Sequence, residues 1–398
     1  MKNIHVLVAS STWTQDGLRY RRHRFADYLR AQPETEAVIW LCPSSEQSAE
    51  TFITLDNGIR QWTIADWLPF KAARFSRFID NFYQTKVDYF LEQLHHMNGR
   101  FYLWYTFPGF PLLADLFPWE SVIYDCSDLW SAPISGRLSL AAQLRRLVIG
   151  RAETRIINCA EHIFCTSDYL HDHVLQQLQE PHAPSVVTLE NGVDYAQFNR
   201  AKHWTKPVLP VGFSGKVIGY IGGIKPKLDF RLVGKAAQQR PDWLFLFIGP
   251  DHTRGAAAFQ QLLNLPNVRW IGAIAADEVP DYMRLIDLGM MPYKASPYNS
   301  AVFPLKLFEF LAAGKPAVGV CLPATKRYAQ AGLYTCLSHS EAEAFVAECQ
   351  QLLETSADPQ LIASRKLAAR RKDWAERFEQ MTHFMKEKGQ TQLAEIFH

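Results

Sequence analysis

Short apolar runs alternate with longer amphipathic stretches along the whole chain. In the first half, apolar runs of strand length predict β-strands at Ile4–Val8, Ala37–Leu41, Phe101–Trp104, Val122–Tyr124, His162–Cys165 and Ser185–Thr188. Stretches with helical spacing predict helices at Leu18–Ala31, Arg74–Leu94, Leu138–Asn158 and Tyr169–Leu178. Because strands that alternate with helices form parallel sheets covered by helices, this half predicts an α/β domain.

The same alternation begins again at Val217–Ile221, after the proline- and glycine-containing segment 201–215 that predicts an interdomain linker. Further strands are predicted at Leu244–Ile248, Val268–Ile271, Leu288–Met291 and Ala317–Val320, and helices at about 340–353 and 359–387. We predict one doubly wound domain over 1–205, a second over 206–375 and a final helix over 376–398. Two such domains form a cleft at the carboxyl ends of their strands. The pattern alone would equally suit a dehydrogenase or a periplasmic-type binding protein.

Composition narrows the classes of protein. The 398 residues carry a formal net charge of only +2, so there is no polyelectrolyte signal for nucleic acid. The seven cysteines are scattered without Cys-x-x-Cys spacing, which argues against a zinc site or a disulfide framework and favours a reducing compartment. No run approaches the roughly 18 apolar residues that cross a bilayer. The N-terminus enters a predicted strand directly, so we expect a soluble, cytoplasmic protein.

The most informative segment is a short helix predicted between two prolines. Pro304 suits its first turn, and Gly314 followed by Pro316 ends it. Lys306 and Glu309 share one face because they are three residues apart. A lysine at the positive end of the helix dipole makes sense if an anion is bound there, with Glu309 one turn deeper to accept hydrogen bonds from a ribose. The alternative is an ordinary surface ion pair.

This segment resembles the donor-site helix of glycosyltransferases with the GT-B fold, particularly family 4, in the sequence Pro304-Leu305-Lys306-x-x-Glu309-x-Leu311-Ala312-x-Gly314-Lys315-Pro316. Within that family the chain is most similar to glycosyltransferases of teichuronic acid biosynthesis. The resemblance implies two Rossmann-like domains facing across a cleft, and a final helix that returns to the first domain. It also implies that Glu309 binds the ribose of a nucleotide and that the amides around Leu305 hold its diphosphate. The first glutamate of the family's Glu-x7-Glu pattern falls at position 301, which is Ala301 here, so this sequence departs from the family at its sugar-contacting carboxylate.

Two further segments resemble donor-binding loops of the same fold. Gly222 and Gly223 follow a predicted strand and would let the backbone approach a phosphate, and Lys225 or Lys227 would supply the charge of the arginine that the family has at position 223. Backbone groups near Ile271 resemble the part that hydrogen-bonds the nucleotide base. Tyr293 would either pack on the donor or cap the core. Without the resemblance, these glycines are equally consistent with tight turns and Ile271 with a buried strand.

The first domain is expected to bind the acceptor. Arg19, Arg22 and His23 would lie together on a helix at the cleft and bind a phosphate, or would form a solvated basic face. Asp125 and Asp128 follow an apolar strand, so either carboxylate would be a general base or would orient the acceptor hydroxyl. Both aspartates would also serve as helix caps or turn formers. Asn191, in an Asn-Gly turn, is expected to be structural, with a second role at the cleft.

Basic and aromatic residues are mixed in two stretches that would be able to dock on an anionic membrane. The first contains Arg60, Trp62, Trp67, Phe70, Lys71, Arg74, Phe75, Arg77 and Phe78, and the second contains Arg145, Arg146, Arg151 and Arg155. An aromatic core with arginines that extend to the surface is the alternative.

The resemblance therefore implies a hexosyltransferase-type glycosyltransferase that moves a sugar from a nucleoside diphosphate sugar, expected to be UDP-linked, to a glycan or lipid-linked acceptor. Retention of anomeric configuration is expected, with Lys306 stabilising the departing diphosphate and no metal or other cofactor. A nucleotide-sugar epimerase of the same architecture and a non-catalytic glycan-binding scaffold are the alternatives.

Overall fold

Two parallel β-sheets, each packed against helices, form the two halves of the chain. The computed structural model describes residues 1–15, 18–46, 48–49, 51–66, 74–75, 80–136, 139–199 and 208–396. The first sheet has eight strands: β1 (Asn3–Val8), β2 (Thr35–Ser44), β3 (Ile53–Thr54), β4 (Arg60–Ala65), β5 (Arg100–Tyr105), β6 (Ser121–Cys126), β7 (His162–Cys165) and β8 (Ser185–Thr188). Their order is β3-β4-β2-β1-β5-β6-β7-β8, and only β3 runs antiparallel to its neighbour.

Both faces of the first sheet are buried, which explains why its strands are continuous apolar runs. Ile4, Val6 and Val8 belong to one hydrophobic cluster, and Leu7 and Ala9 belong to another. The helices in this half are α1 (Arg21–Arg30), α2 (Asp80–His95), α3 (Leu113–Leu116), α4 (Leu140–Ile157), α5 (Asp168–Leu175) and α6 (Tyr195–Phe198).

The second sheet is smaller and builds the other wall of the cleft. It contains β9 (Val217–Ile221), β10 (Leu244–Ile248), β11 (Val268–Trp270), β12 (Leu288–Pro292), β13 (Ala317–Val320) and β14 (Tyr334–Leu337), in the order β11-β10-β9-β12-β13-β14. The connecting helices are α7 (Phe230–Gln239), α8 (Ala257–Leu263), α9 (Val279–Met283), α10 (Pro297–Ala301), α11 (Lys306–Ala312), a 3-10 helix (Pro323–Tyr328), α12 (Ala342–Glu354) and α13 (Pro359–Arg370). The predicted α/β architecture of two doubly wound domains is confirmed.

The final helix, α14 (Trp374–Ile396), lies against the first domain. Phe378 stacks on Trp374, and its ring centroid is 5.1 Å from that of Phe25 on α1. Met381 is fully buried in the same cluster. No helix in the described part of the chain is long and apolar enough to cross a membrane.

Several predicted elements differ from the structure. The helix predicted over 359–387 is two helices, because the chain turns between Arg370 and Trp374, where Asp373 Oδ1 accepts a hydrogen bond from the Ala375 N–H. Strands β3, β4 and β14 are absent from the prediction. Helix α1 begins at Arg21 rather than Leu18. Leu138 and the linker residues 201–207 lie outside the described residues.

Candidate active site in the cleft between the sheets

The loop that follows β9 lies directly against the first residue of α11. Gly222 has a φ of +138°, and a Cβ there would be 2.6 Å from Cε of Lys306. Gly249, after β10, has a φ of +135°, and a Cβ there would be 2.2 Å from the carbonyl oxygen of Gly222. Both positions therefore favour glycine, because both have a positive φ and a Cβ at Gly249 would collide with the backbone of Gly222.

Helix α11 carries the predicted pair on one face. Lys306 Nζ lies 3.2 Å from Glu309 Oε2, with the two side chains 20% and 19% exposed. Glu309 Oε2 is nevertheless buried without a hydrogen bond of good geometry in the described part of the chain. Leu305 precedes the helix and provides no side-chain cap. Within the first turn, the Leu307 N–H donates to Pro304 O at 3.3 Å. The arrangement places an ammonium, the start of the helix and a carboxylate around one space.

That space continues into a cavity of about 70 Å³ with an apolar wall. The wall is formed by Ile221, Ile248, Pro250, Ile274, Ala276 and Val279. Ile271, the residue that the sequence suggested for base binding, donates its backbone N–H to Phe247 O at 3.1 Å as part of the sheet edge. The segment after Gly272, which the sequence analysis did not single out, supplies part of the apolar wall. The sequence did not indicate this wall, because its apolar residues lie in a loop that has neither helical nor strand periodicity.

A second cavity, of about 160 Å³, opens between α11 and the end of β6. Asp128 lies here, and its Oδ1 accepts a hydrogen bond from the Tyr298 hydroxyl at 2.9 Å. Tyr293 is buried at the cavity wall, and Lys227 Nζ lies 4.7 Å from its ring centroid. Burial raises the pKa of Tyr293 far above its ordinary value, so this hydroxyl stays protonated. The side chain of Tyr293 therefore belongs to the core and also lines the cavity.

The basic residues at the start of α1 divide between the cleft and the interior. Arg19 and Arg22 line the second cavity, together with Lys225. Arg19 forms an ion pair with Asp27, and Lys225 Nζ lies 3.5 Å from the Tyr20 hydroxyl.

His23 is buried away from the cleft. Its ring centroid lies 4.8 Å from the centroids of both Trp13 and Trp40. Burial, reinforced by the neighbouring arginines, lowers the pKa of His23 to about 3, so the ring is neutral near pH 7. The sequence predicted one cluster of Arg19, Arg22 and His23. The structure leaves His23 out of it because the aromatic side chains enclose the imidazole.

Asp125 is likewise placed in the interior, whereas Asp128 reaches the cleft. Both carboxylate oxygens of Asp125 lie 3.0 Å from Nε of Arg21, and both side chains are nearly inaccessible to solvent. Arg21 also donates to the backbone oxygen of Glu190 at 3.1 Å. This pair joins α1, β6 and the segment after β8. Sequence reasoning missed Arg21 because its spacing from Asp125 is visible only in the folded chain.

Asn191 connects the two domains at the cleft. Its Nδ2 donates to Phe303 O at 2.7 Å, while its Oδ1 is buried without a hydrogen-bond partner in the described residues. The Ser167 hydroxyl donates to Ala301 O at 2.7 Å on the same side. These contacts fix the residues that lead into α11.

Metal-ligating side chains do not converge in the described part of the chain, where no group of three or more His, Cys, Asp or Glu residues could hold an ion.

Comparison with known families places this geometry among transferases. Residues 215–355, which include β9, α11 and both glycine loops, match the family described as glycosyl transferases group 1. Over 384 residues the chain is 50% identical to the protein named "Putative teichuronic acid biosynthesis glycosyltransferase TuaH" of Bacillus subtilis (strain 168), and the match covers 96% of each chain.

Solved structures with the same architecture are much more distant in sequence. The sucrose-phosphate synthase of Thermosynechococcus elongatus superposes with a TM-score of 0.73 at 16% identity, covering 98% of this chain and 100% of that one. Anabaena Alr3699/HepE in complex with UDP-glucose gives a TM-score of 0.66 at 15% identity, covering 96% of this chain and 99% of that one. At these identities the similarity establishes the fold alone.

Proposed function

The chain belongs to the group 1 glycosyltransferases of the GT-B fold, as its motif predicted, and from this premise we propose which donor, acceptor and residues it uses. It is a glycosyltransferase. We propose that it transfers a sugar from a UDP-linked donor to a glycan or lipid-linked acceptor in the synthesis of a teichuronic acid-like cell-surface polysaccharide. The names of the TuaH relative and of the HepE complex support the pathway and the donor, respectively.

One observation carries the donor assignment: Lys306 is held against Gly222 and pairs with Glu309, whose buried Oε2 has no hydrogen bond of good geometry among the described residues. A diphosphate at Lys306 would meet an ammonium and the first-turn amides around Leu305. The adjoining ribose would then lie within reach of Glu309, and the base would enter the apolar 70 Å³ cavity. The site therefore offers, in this order, partners for an anion, for hydroxyls and for a flat apolar ring. This is the order of groups in a nucleoside diphosphate.

The chemical step requires stabilisation of the charge that develops on the departing diphosphate. Lys306 is positioned for that role, and donors that are fixed before reaction are worth the most in a partly dehydrated site. We propose retention of anomeric configuration and a reaction without a metal ion. In this proposal Asp128 orients the acceptor hydroxyl or accepts its proton, and Arg19 and Arg22 bind the acceptor or a phosphate that it carries.

A membrane-bound acceptor would need a docking surface, and α4 offers one. Leu140, Leu144 and Leu147 lie on one helix face and are 81%, 66% and 59% exposed. Arg145 and Arg146 are exposed beside them. We propose that this half of α4 inserts its leucines into the inner face of an anionic membrane.

Some residues of the two stretches predicted to dock on a membrane are not part of this surface. Arg155 is paired with Asp80 and Asp115, and Phe75 is buried, so neither is available to lipid. Trp67, Phe70, Lys71, Arg77 and Phe78 lie outside the described residues.

Co-sedimentation with vesicles tests the docking surface. The wild-type chain is expected to bind vesicles containing phosphatidylglycerol more strongly than neutral ones, and serine at positions 140, 144 and 147 is expected to abolish binding. Leu367→Ser, at a leucine that is 51% exposed on α13, is the matched control. Equal sedimentation of the triple variant and the control would overturn the membrane proposal.

A panel of nucleotide sugars tests the function itself. Slow hydrolysis of one donor by the purified chain, lost in Lys306→Ala and retained in Lys235→Ala on the exposed face of α7, is the expected result. Release of an epimerised nucleotide sugar without any acceptor would instead identify an epimerase. Binding of no nucleoside diphosphate at all would indicate a non-catalytic scaffold.

A further inference from the structure

A third cavity lies beside α4 in the first domain, away from the cleft. Its volume is about 540 Å³, so it is larger than either cleft cavity and shares no lining residue with them. This volume is within the range of small-molecule binding sites. Its apolar lining comes from Phe75, Pro111 and Ala152, which are buried, and from Val148, which is half-buried. The first domain therefore contains an apolar chamber that neither the donor nor the acceptor hydroxyl occupies in the proposed reaction.

The side of α4 that lines this cavity continues the row of exposed leucines. Leu144 precedes Val148 by four residues and Leu147 precedes Arg151 by four, so the members of each pair are neighbours on one helix face. Val148 and Arg151 line the cavity, whereas Leu144 and Leu147 are 66% and 59% exposed. A hydrocarbon chain that leaves the leucines therefore meets the cavity as the next apolar surface along the helix.

The charged residues of the lining differ in whether they have a partner. Arg155 is paired with Asp80 and Asp115, so its charge is neutralised within the protein. Arg151 is exposed and lines the same cavity, which places it at the mouth. It forms no ion pair with any residue that the structure describes. The cavity thus offers an apolar interior with a cation at its entrance, which suits an apolar chain that carries an anionic head group.

A row of aromatic side chains connects the cavity with the cleft. Phe75 lines the cavity, and its ring centroid is 5.2 Å from that of Phe107. The ring centroid of Phe107 is in turn 5.3 Å from that of Trp130. The Trp130 N–H donates to Asp128 O at 3.0 Å, so the row ends at the loop that carries the proposed acceptor carboxylate. A head group that extends along this row would bring its sugar to Asp128.

We propose that the cavity beside α4 binds the hydrocarbon chain of a lipid-linked acceptor. The phosphate next to the chain lies at Arg151, and the glycan extends along the aromatic row to Asp128. This inference rests on the proposed glycosyltransferase function and names the class of acceptor, which is a single-chain lipid phosphate rather than a free glycan. The leucines of α4 contact the membrane, whereas the cavity receives the chain of the substrate itself.

Isothermal titration of the full chain with farnesyl phosphate and with farnesol tests the cation at the mouth. Farnesyl phosphate is expected to bind the wild type at least about tenfold more tightly than Arg151→Gln, as for loss of a hydrogen bond to a charged group. Farnesol should bind both chains equally, and inorganic phosphate should not displace farnesyl phosphate. Arg231→Gln, at an exposed arginine on α7, is the matched control and should bind like the wild type.

Filling the cavity tests the apolar interior. Ala152→Trp and Val148→Trp should each weaken binding of farnesyl phosphate by about tenfold or more, because excluding two methylene groups already corresponds to that loss. Their affinity for UDP should stay within about twofold of the wild type, since distant sites act independently. Val148 is only half-buried, so this variant carries the test if Ala152→Trp, at a buried position, does not fold.

Three results would overturn the site. The first is equal binding of farnesyl phosphate by the wild type, Arg151→Gln and Val148→Trp. The second is binding of a lysophosphatidylglycerol of similar chain length as tightly as farnesyl phosphate, because the cavity would then receive membrane lipids in general. The third is a wild-type chain that binds UDP but no farnesyl phosphate, which would leave the proposed donor function intact. A chain that binds farnesyl phosphate but no UDP would instead overturn the proposed function, and the acceptor role of the cavity with it.

Discussion

The two walls of the cleft use similar charged residues in opposite ways. On the second domain, Lys306 and Glu309 pair at the cleft surface, and Lys306 lies against the backbone of Gly222. On the first domain, Arg21 and Arg22 both line the cavity, but Arg21 is almost fully buried and is paired with Asp125. A charged residue therefore indicates a site only when the local fold leaves its side chain accessible. At the donor wall, this accessibility follows from the local sequence.

The largest expected effect separates Asp125 from Asp128. Asp125→Ala leaves Arg21 buried without its partner and should lower the free energy of unfolding by about 3–5 kcal/mol. Asp128→Ala should change it by no more than about 1 kcal/mol, because that carboxylate is half-buried and bonded to one tyrosine. Chemical denaturation of both variants measures the difference. Equal free energies of unfolding for the two variants would contradict the conclusion that the Arg21–Asp125 pair stabilises the first domain.

Loss of the lysine at the donor wall should affect catalysis rather than folding. Lys306→Ala is expected to lower kcat/KM by about 10²–10³-fold, as for removal of one fixed oxyanion donor. Its midpoint of thermal unfolding should match that of Lys235→Ala. Steady-state kinetics with the donor identified in the panel measures the effect, and an unchanged kcat/KM would remove Lys306 from the mechanism.

The acceptor wall should respond more weakly and only at one of its two aspartates. Asp128→Asn keeps the shape of the side chain and should lower kcat by about 10–100-fold if the carboxylate takes part in proton transfer. The pH–rate profile should lose a limb in the variant. A rate loss of the same size in a fully folded Asp125→Asn chain would contradict the assignment of the interior position to stability.

The smallest expected effect concerns pH and Lys227. Its pKa is lowered from 10.5 to about 8, so between these values the unfolded chain binds more protons and stability should rise with pH. Lys227→Met should be more stable than the wild type at pH 7 by about 1–2 kcal/mol, with a smaller difference near pH 10. Denaturation at both values tests this. An equal difference at pH 7 and pH 10 would show that Lys227 is not desolvated in the folded chain.

Much of the fold follows from sequence pattern because parallel strands buried on both faces leave unambiguous apolar runs. The bounds of β7, β8, β9, β10 and β13 agree with their predictions residue for residue. Strand β4 was not predicted because it begins with Arg60 and Gln61, and Thr63 interrupts its apolar residues.

At the site, the Lys306–Glu309 pair was predictable since both residues lie within one turn of one helix. The burial of His23 and the Arg21–Asp125 pair were not, since each depends on partners from distant parts of the chain. Arg21 and Asp125 are 104 residues apart. Trp40, which encloses His23 together with Trp13, comes from the neighbouring strand β2.

Helix α14 affects the order in which the chain can fold during its synthesis. Trp374, Phe378 and Met381 complete the hydrophobic cluster around Phe25, which belongs to the first helix of the protein. A nascent chain that has emerged only as far as the second domain therefore exposes this apolar face of α1, although N-terminal domains usually fold first on the ribosome. The first domain reaches its final packing only when the last helix leaves the exit tunnel, and C-terminal truncations should harm the half of the protein that is made first.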